Sequence, residues 1–234
     1  MTREAIILAG GLGTRLRNVI GDLPKPMADI EGKPFLAYLL TYLKTQRITD
    51  VVLAVGYKHG IIKNYFKNQY QEIKITYSIE EELLGTGGAI KRALSLRTEE
   101  NVLILNGDSL FNIDLENLFN FHDSKRALLT IAMKRYDAKD RYGALIVDKN
   151  HRVTGFQEKS QAGGNYMNGG IYVLNKTKFE AINVPLKFSF EKDFLGKLYK
   201  NELFYGLEYS DYFIDIGIPE DYQRAKREIK GLII

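Results

Sequence analysis

Near the start of the chain stands Ala5-Ile6-Ile7-Leu8-Ala9-Gly10-Gly11-Leu12-Gly13-Thr14-Arg15-Leu16, followed by Pro24-Lys25-Pro26-Met27. An apolar run that breaks into paired glycines predicts a buried strand, Ala5–Leu8, entering a tight turn. Working outward, Leu36, Leu39, Leu40 and Leu43 recur at helical spacing after Pro34, and Asp50–Val55 predicts a second buried strand. His59–Phe66 predicts a helix, Ile73–Tyr77 a strand and Gly87–Leu96 another helix. Val102–Leu105 predicts a further apolar strand that ends in Asn106-Gly107-Asp108. This β-α-β-α-β rhythm predicts an α/β fold with a mixed, mostly parallel central sheet and helices on both faces. Ligands of such sheets bind at the carboxyl ends of the strands, where both the glycine turn and Asp108 fall.

The second half has a different texture. Leu128–Met133, Ala144–Val147, Val153–Phe156 and Gly169–Leu174 predict short strands separated by turns, and Glu191–Lys200 predicts a helix. Together they suggest a small α+β extension or lid laid over the first half. Glu220–Lys230 has acids first and bases last, which complements a helix dipole. With no internal repeat, low-complexity tract or Pro/Ser-rich linker, one continuous unit over 1–234 is expected.

Composition narrows the chemistry. The 234 residues include no Cys and 3 His, which excludes disulfides, thiolate metal sites and cysteine nucleophiles. No G-x-S-x-G elbow supports a serine hydrolase. Net charge is +4 with the charges interspersed, too mild to indicate nucleic acid but compatible with a phosphate-rich small substrate. The first apolar run is too short for a signal or a membrane span, so a cytoplasmic location with no membrane partner is the default expectation. What remains is chemistry done by glycines, cations and carboxylates.

Three glycines after a buried strand allow close backbone approach and turn N–H groups toward anionic oxygens. Gly11-x-Gly13 fails the dinucleotide fingerprint because Leu16 stands where its third glycine belongs, and no Gly-Lys-Ser/Thr is present for a P-loop. Arg15 supplies a planar fork for phosphate, and Lys25 a point charge held between two stiff prolines. A plain glycine turn with solvated cations is the competing reading, and the offsets of Arg15 and Lys25 weigh against it.

The segment resembles the G-G-x-G-T-R-L…P-K-P signature of sugar-1-phosphate nucleotidyltransferases. The resemblance continues through Glu80…Gly85-Thr86-Gly87-Gly88, Asn106-Gly107-Asp108, Glu158-Lys159, Asn168-Gly169-Gly170 and Phe213-Ile214-Asp215-Ile216-Gly217. Within that family, Tyr77–Glu80, Leu84–Gly88 and Asp215–Tyr222 look most like D-glycero-D-manno-heptose 1-phosphate guanylyltransferases. The resemblance implies the Rossmann-like nucleotide-diphospho-sugar transferase fold. A nucleotide-binding half would occupy about 1–125 and a sugar-phosphate-binding half about 126–234. It also implies the reaction NTP + sugar 1-phosphate → NDP-sugar + pyrophosphate, with GTP and a heptose 1-phosphate as substrates.

The attacking phosphate oxygen of such a substrate is already anionic, so no general base is needed. Catalysis reduces to alignment and charge neutralisation. Arg15 would neutralise the α-phosphate and leaving pyrophosphate, with Leu8, Gly10, Gly11, Gly13 and Thr14 around the triphosphate. Lys25 would stand on the attack side and Lys159 would hold the sugar phosphate. The resemblance implies that Gly85, Gly87 and Asn106 belong to the same nucleotide site.

Asp108 ends an apolar strand and Asp215 lies inside Phe213-Ile214-Asp215-Ile216. Such carboxylates are costly to bury without a cation, and Mg²⁺ takes one or two of them together with phosphate oxygens. Asp114 and Asp148 read instead as cap and turn residues. Glu80 is expected to choose the base. Guanine presents two adjacent donors to an acceptor-only carboxylate, whereas uracil and thymine suit an amide. An acidic loop facing solvent is the competing reading for Glu80-Glu81-Glu82.

Gly143, Glu158, Asn168 and Gly169 match sugar-contacting positions of the family. Its common Glu-Lys-Pro departs here to Glu158-Lys159-Ser160. The rival readings are a thymidylyl- or uridylyltransferase acting on a hexose 1-phosphate, a glycosyltransferase of related fold, and a non-catalytic sugar-nucleotide sensor. Exposed helix faces would support a homodimer.

Overall fold

The computed structural model describes residues 3–11, 13–135, 144–157 and 166–232. A 10-stranded sheet runs through them. Four strands lie side by side and parallel: β1 (Arg3–Leu8), β2 (Ile48–Val55), β3 (Ile73–Ile79) and β4 (Asn101–Asn106), in the order β4-β1-β2-β3. Helices α1 (Phe35–Thr45), α2 (His59–Phe66) and α3 (Gly85–Leu94) connect them.

Side chains of a strand alternate between faces, and here both faces are apolar and both are covered. Ala5, Ile7, Val51, Leu53 and Leu105 join a core with Phe35, Leu39 and Leu43 of α1. Ile6, Val52, Ala54 and Ile104 join a second core with Ala89, Ile90 and Ala93 of α3. That explains why the strands read as continuous apolar runs rather than alternating ones.

The second half carries on the same sheet. Its strands are β6 (Leu129–Arg135), β7 (Ala144–Val147), β8 (Val153–Gln157), β9 (Tyr166–Asn175) and β10 (Phe204–Glu208). β9 pairs antiparallel with β4 along Ile171–Asn175, and β6 lies antiparallel on its other edge. β10 adds to β6 in parallel, and the β7–β8 hairpin joins β9 at Tyr166–Met167. The register of β9 against β6 shifts between Asn168 and Tyr172, where Gly170 takes a φ of 72°. This is a bulge at the Asn-Gly-Gly motif.

A separate two-stranded ribbon, β5 (Ser109–Phe111) against β11 (Phe213–Asp215), stands beyond the end of β4. The predicted helix over Glu191–Lys200 is wound wide across Phe190–Leu195, then tightens for one turn at Gly196–Leu198. Its Phe190 and Phe194 rings stack 5.0 Å apart.

Two further readings from sequence have clear physical counterparts. Asp114 caps α4 (Leu115–Lys125) by accepting from the Asn117 amide at 3.1 Å. Asp148 closes a turn by accepting from the amides of Asn150 and Arg152.

The chain order β1-β2-β3 moves outward on one side of β1, then returns to place β4 on the other. The crevice between the carboxyl ends of β1 and β4 is therefore the topological switch point, where ligands of open α/β sheets bind.

The sheet also buries one histidine. His122 of α4 contacts Thr130 Oγ1 of β6 through Nδ1 at 2.9 Å, while its Nε2 is buried without a partner. Burial, with a contribution from Lys178, pushes its pKa down to about 4. The folded value lies below the unfolded one, so the associated stability is complete above pH 6.5. It is lost as pH falls toward 4, because only the unfolded chain accepts the proton readily. The loss amounts to about 3 kcal/mol over that window. Urea unfolding from pH 7.5 to 4.5 should show it, and His122→Gln should flatten that part of the profile.

Candidate active site

A cavity of about 620 Å³ opens at this switch point. Its floor is the backbone where β1 and β4 end: Leu8, Ala9, Gly10, Asn106 and Gly107. The two strands come close enough that the Gly107 amide donates to the Leu8 carbonyl at 2.9 Å. A Cβ on Gly107 would lie 2.5 Å from that same oxygen, so only glycine fits. Gly11, Gly13, Arg15, Lys25, Glu80, Gly85 and Asp108 also line the cavity. Thr14 begins the helical turn Thr14–Leu16 that presents Arg15.

Lys25 is the better buried of the two cations. Its side chain is 12% exposed, and its Nζ donates to Asp108 Oδ2 at 3.0 Å. Gly13 has a φ of 63°, and a Cβ there would press to 2.9 Å from Lys25 Cγ. The glycine thus serves both the turn and the lysine stem.

The β5–β11 ribbon brings in the second carboxylate. Asp215 pairs in register with Ser109, and the Ile216 amide donates to the Asp108 carbonyl at 2.9 Å. Asp215 Oδ1 accepts from the Gly217 amide at 2.6 Å. Burial, and then the charge of Asp108, push the Asp215 pKa up to about 6; the Gly217 amide, Lys25 and Arg15 pull in the other direction.

Glu80 follows β3, and its amide donates to the Val55 carbonyl at 2.8 Å. Its Oε2 accepts from the Leu84 amide at 3.0 Å, and Oε1 faces Gly10. Burial raises its pKa, and the Leu84 amide and Arg92 lower it. Glu81 and Glu82 are exposed, so the solvent-facing reading applies to those two.

The nucleotidyl transferase family model matches residues 4–231. This chain belongs to the nucleotidyl transferase family. It is 52% identical to a D-glycero-alpha-D-manno-heptose 1-phosphate guanylyltransferase from Aneurinibacillus thermoaerophilus, covering 98% of this chain and 100% of the relative. An enzyme of the same name from Campylobacter jejuni subsp. jejuni serotype O:2 is 49% identical, with 94% and 96% covered. Among solved structures, HddC from Yersinia pseudotuberculosis complexed with GMP-PN superposes with a TM-score of 0.85. It is 40% identical, with 97% of this chain and 100% of that one covered.

Other positions inferred from sequence for this nucleotidyl transferase fall differently. Gly87 does not line the cavity. A Cβ on it would strike the Phe188 ring at 2.1 Å, and its amide donates to the Phe188 carbonyl at 3.0 Å. Asn168 sits one layer back: its Oδ1 accepts from the Gly170 amide and its Nδ2 donates to Tyr172 Oη at 2.8 Å. Gly169 packs against Phe111, where a Cβ would come to 2.5 Å. Gly143, Glu158 and Lys159 lie outside the described residues.

Sequence reasoning missed the opposite wall, made by Thr86, Tyr172, Phe190 and Glu191. Phe190 is tied to α3 by donating its amide to Thr86 Oγ1 at 2.9 Å. The one sequence cue was the Gly85–Gly88 run, whose glycines admit this segment.

The donor set fits a hard divalent cation. The charge of Asp108 raises the cost of ionising Asp215 in this half-buried corner, and both carboxylates offer oxygen donors, as Mg²⁺ prefers. Among the described residues no cluster of three or more His, Asp or Glu forms a self-sufficient metal cage. Further oxygens would therefore come from phosphate or water.

A stability consequence follows for the metal-free protein. The folded pKa of Asp215 lies above the unfolded value of 3.8, so its charge opposes folding above pH 6, and the penalty fades as pH falls below that value. In EDTA, Asp215→Asn should therefore be more stable than the parent at pH 7.5. That advantage should shrink toward pH 4 in thermal melts.

Proposed function

We propose that this chain transfers a guanylyl group from GTP to D-glycero-D-manno-heptose 1-phosphate, releasing pyrophosphate. The observation that carries the choice of base is Glu80, the one member of its glutamate trio set into the cavity wall. Guanine offers N1–H and an exocyclic amine side by side, and an ionised carboxylate accepts from both. The acceptor assignment is supported by the two relatives that carry that enzyme's name.

The chemistry needs no proton shuttle. An anionic oxygen of the sugar phosphate attacks the α-phosphorus. A P–O bond forms there as the bond to the β-phosphate breaks, and the electron pair leaves with pyrophosphate. No histidine is among the described residues lining the cavity. Arg15, on its exposed turn, would meet charge on the triphosphate, and Lys25 would meet the α-phosphate from beside Asp108. Gly10 and Gly11 let phosphate oxygens approach the backbone closely.

Asp108 and Asp215 would hold Mg²⁺, which when bound supplies charge neutralisation for the phosphates. The sugar-phosphate role assigned from sequence to Lys159, Glu158, Gly143 and Asn168 is kept in this proposal, and Asn168 would act by fixing Tyr172 and Glu191. Residues 1–234 would act as one catalytic unit. No helix among the described residues is long and apolar enough to cross a membrane. A cytoplasmic placement, beside the nucleotide pool, suits the proposed substrates.

Pyrophosphate release should be measured with GTP, UTP, dTTP and CTP against heptose, mannose and glucose 1-phosphates. GTP with the heptose substrate should lead, and a pyrimidine preference would overturn the role given to Glu80. Glu80→Gln should erode the preference for GTP over UTP by about 10- to 100-fold, since one guanine donor then meets an amide N–H. Asp108→Asn and Asp215→Asn should each lower turnover about 100-fold or more while circular dichroism stays unchanged.

A further inference from the structure

Arg15 and Lys25 stand at the two ends of one surface loop, which holds a single helical turn at Arg17–Ile20. The ends are anchored: Leu16 is fully buried, and Pro26 and Met27 are buried beside Lys25. Between them, Arg17 to Val19 and Gly21 to Leu23 are exposed. The middle is fastened by a single carboxylate. Asp22 accepts from Arg17 Nη2 at 2.9 Å, from Tyr57 Oη at 2.6 Å and from Lys58 Nζ.

Two of those donors come from a different part of the fold. Tyr57 and Lys58 form the turn that leaves the carboxyl end of β2, with Lys58 at a φ of 50°. The adjoining Gly56 amide lies 3.1 Å from where a Cβ on Gly10 would sit. The turn therefore stands directly against the glycine floor of the cavity, and Asp22 bridges from it to the cation-bearing loop.

We propose that Asp22 is a positioning residue: with Tyr57 and Lys58 it latches the loop across the phosphate end of the cavity and holds Arg15 in place. The proposal rests on the reading of Arg15 given above. One exposed ion pair would contribute little, because solvent screening and side-chain entropy offset it. Here one carboxylate gathers three donors from two segments and cross-links an otherwise exposed stretch. That ordering lowers the entropic cost of bringing Arg15 to a polyanion.

The test uses the full chain and steady-state kinetics with GTP and the heptose 1-phosphate, with binding of inorganic pyrophosphate as a second readout. Asp22→Asn and Lys58→Met should each lower kcat/KM for GTP about 10-fold and weaken pyrophosphate binding, with the fold intact by circular dichroism. The double variant should be no worse than the weaker single, because both substitutions open the same latch. In an Arg15→Met background, Asp22→Asn should add almost nothing, because it acts through Arg15.

Singles within twofold of the parent, or losses that multiply in the double variant, would overturn the latch. So would an undiminished Asp22→Asn effect in the Arg15→Met background. An Arg15→Met enzyme with parental turnover would instead overturn the role of Arg15 itself, whatever the Asp22 series shows.

Discussion

Two carboxylates forced into one half-buried corner are the constraint around which this molecule is arranged. The β5–β11 ribbon sets Asp215 opposite Ser109 and so beside Asp108, and neither strand can withdraw without breaking the ribbon. The arrangement costs stability, as the raised Asp215 pKa records. Lys25 relieves part of it at 3.0 Å from Asp108, and the Gly217 amide relieves more. Lys25 can reach only because Gly13 has no side chain in the way, and Asp108 is placed only because Gly107 lets β4 end against Leu8. Much of the conformational peculiarity of the site traces back to holding these charges together.

That constraint was partly visible in the sequence. Ala5–Leu8 breaking into glycines, and Val102–Leu105 breaking into Asn-Gly-Asp, are local signals, and they located the paired strand ends correctly. The alternation of apolar strands with helical spacing gave the covered sheet, because burial on both faces leaves a continuous apolar run. Asp114 and Asp148 were legible for the same reason: caps and turns are decided within three or four residues.

The far wall was not legible. Gly87 looked like a nucleotide-loop glycine, yet its neighbour is Phe188, about a hundred residues along the chain. Nothing near Gly87 announces that partner. Glu191 read as the start of a helix with no part in the site, and the wide winding that turns it into the cavity depends on packing by Phe190 and Phe194. Asn168 was given a direct contact, whereas the bulge in β9 turns its amide inward to Tyr172 and Gly170. Asp22 drew no notice, because its partners come from beyond β2.

The meeting of α3 with the segment before the wide turn has a consequence for anyone redesigning this catalyst. Added Cβ atoms at Gly85, Gly87 and Gly88 would fall between 2.1 and 2.5 Å from Phe188 or Leu186, at backbone atoms in two of the three cases. Any side chain introduced there displaces the strip that carries Phe190 and Glu191. The start of α3 and the strip that carries two cavity-lining residues, Phe190 and Glu191, thus share one close-packed run of glycines. A library that randomises one wall while freezing the other would sample mostly broken geometries, and the two walls are better varied together.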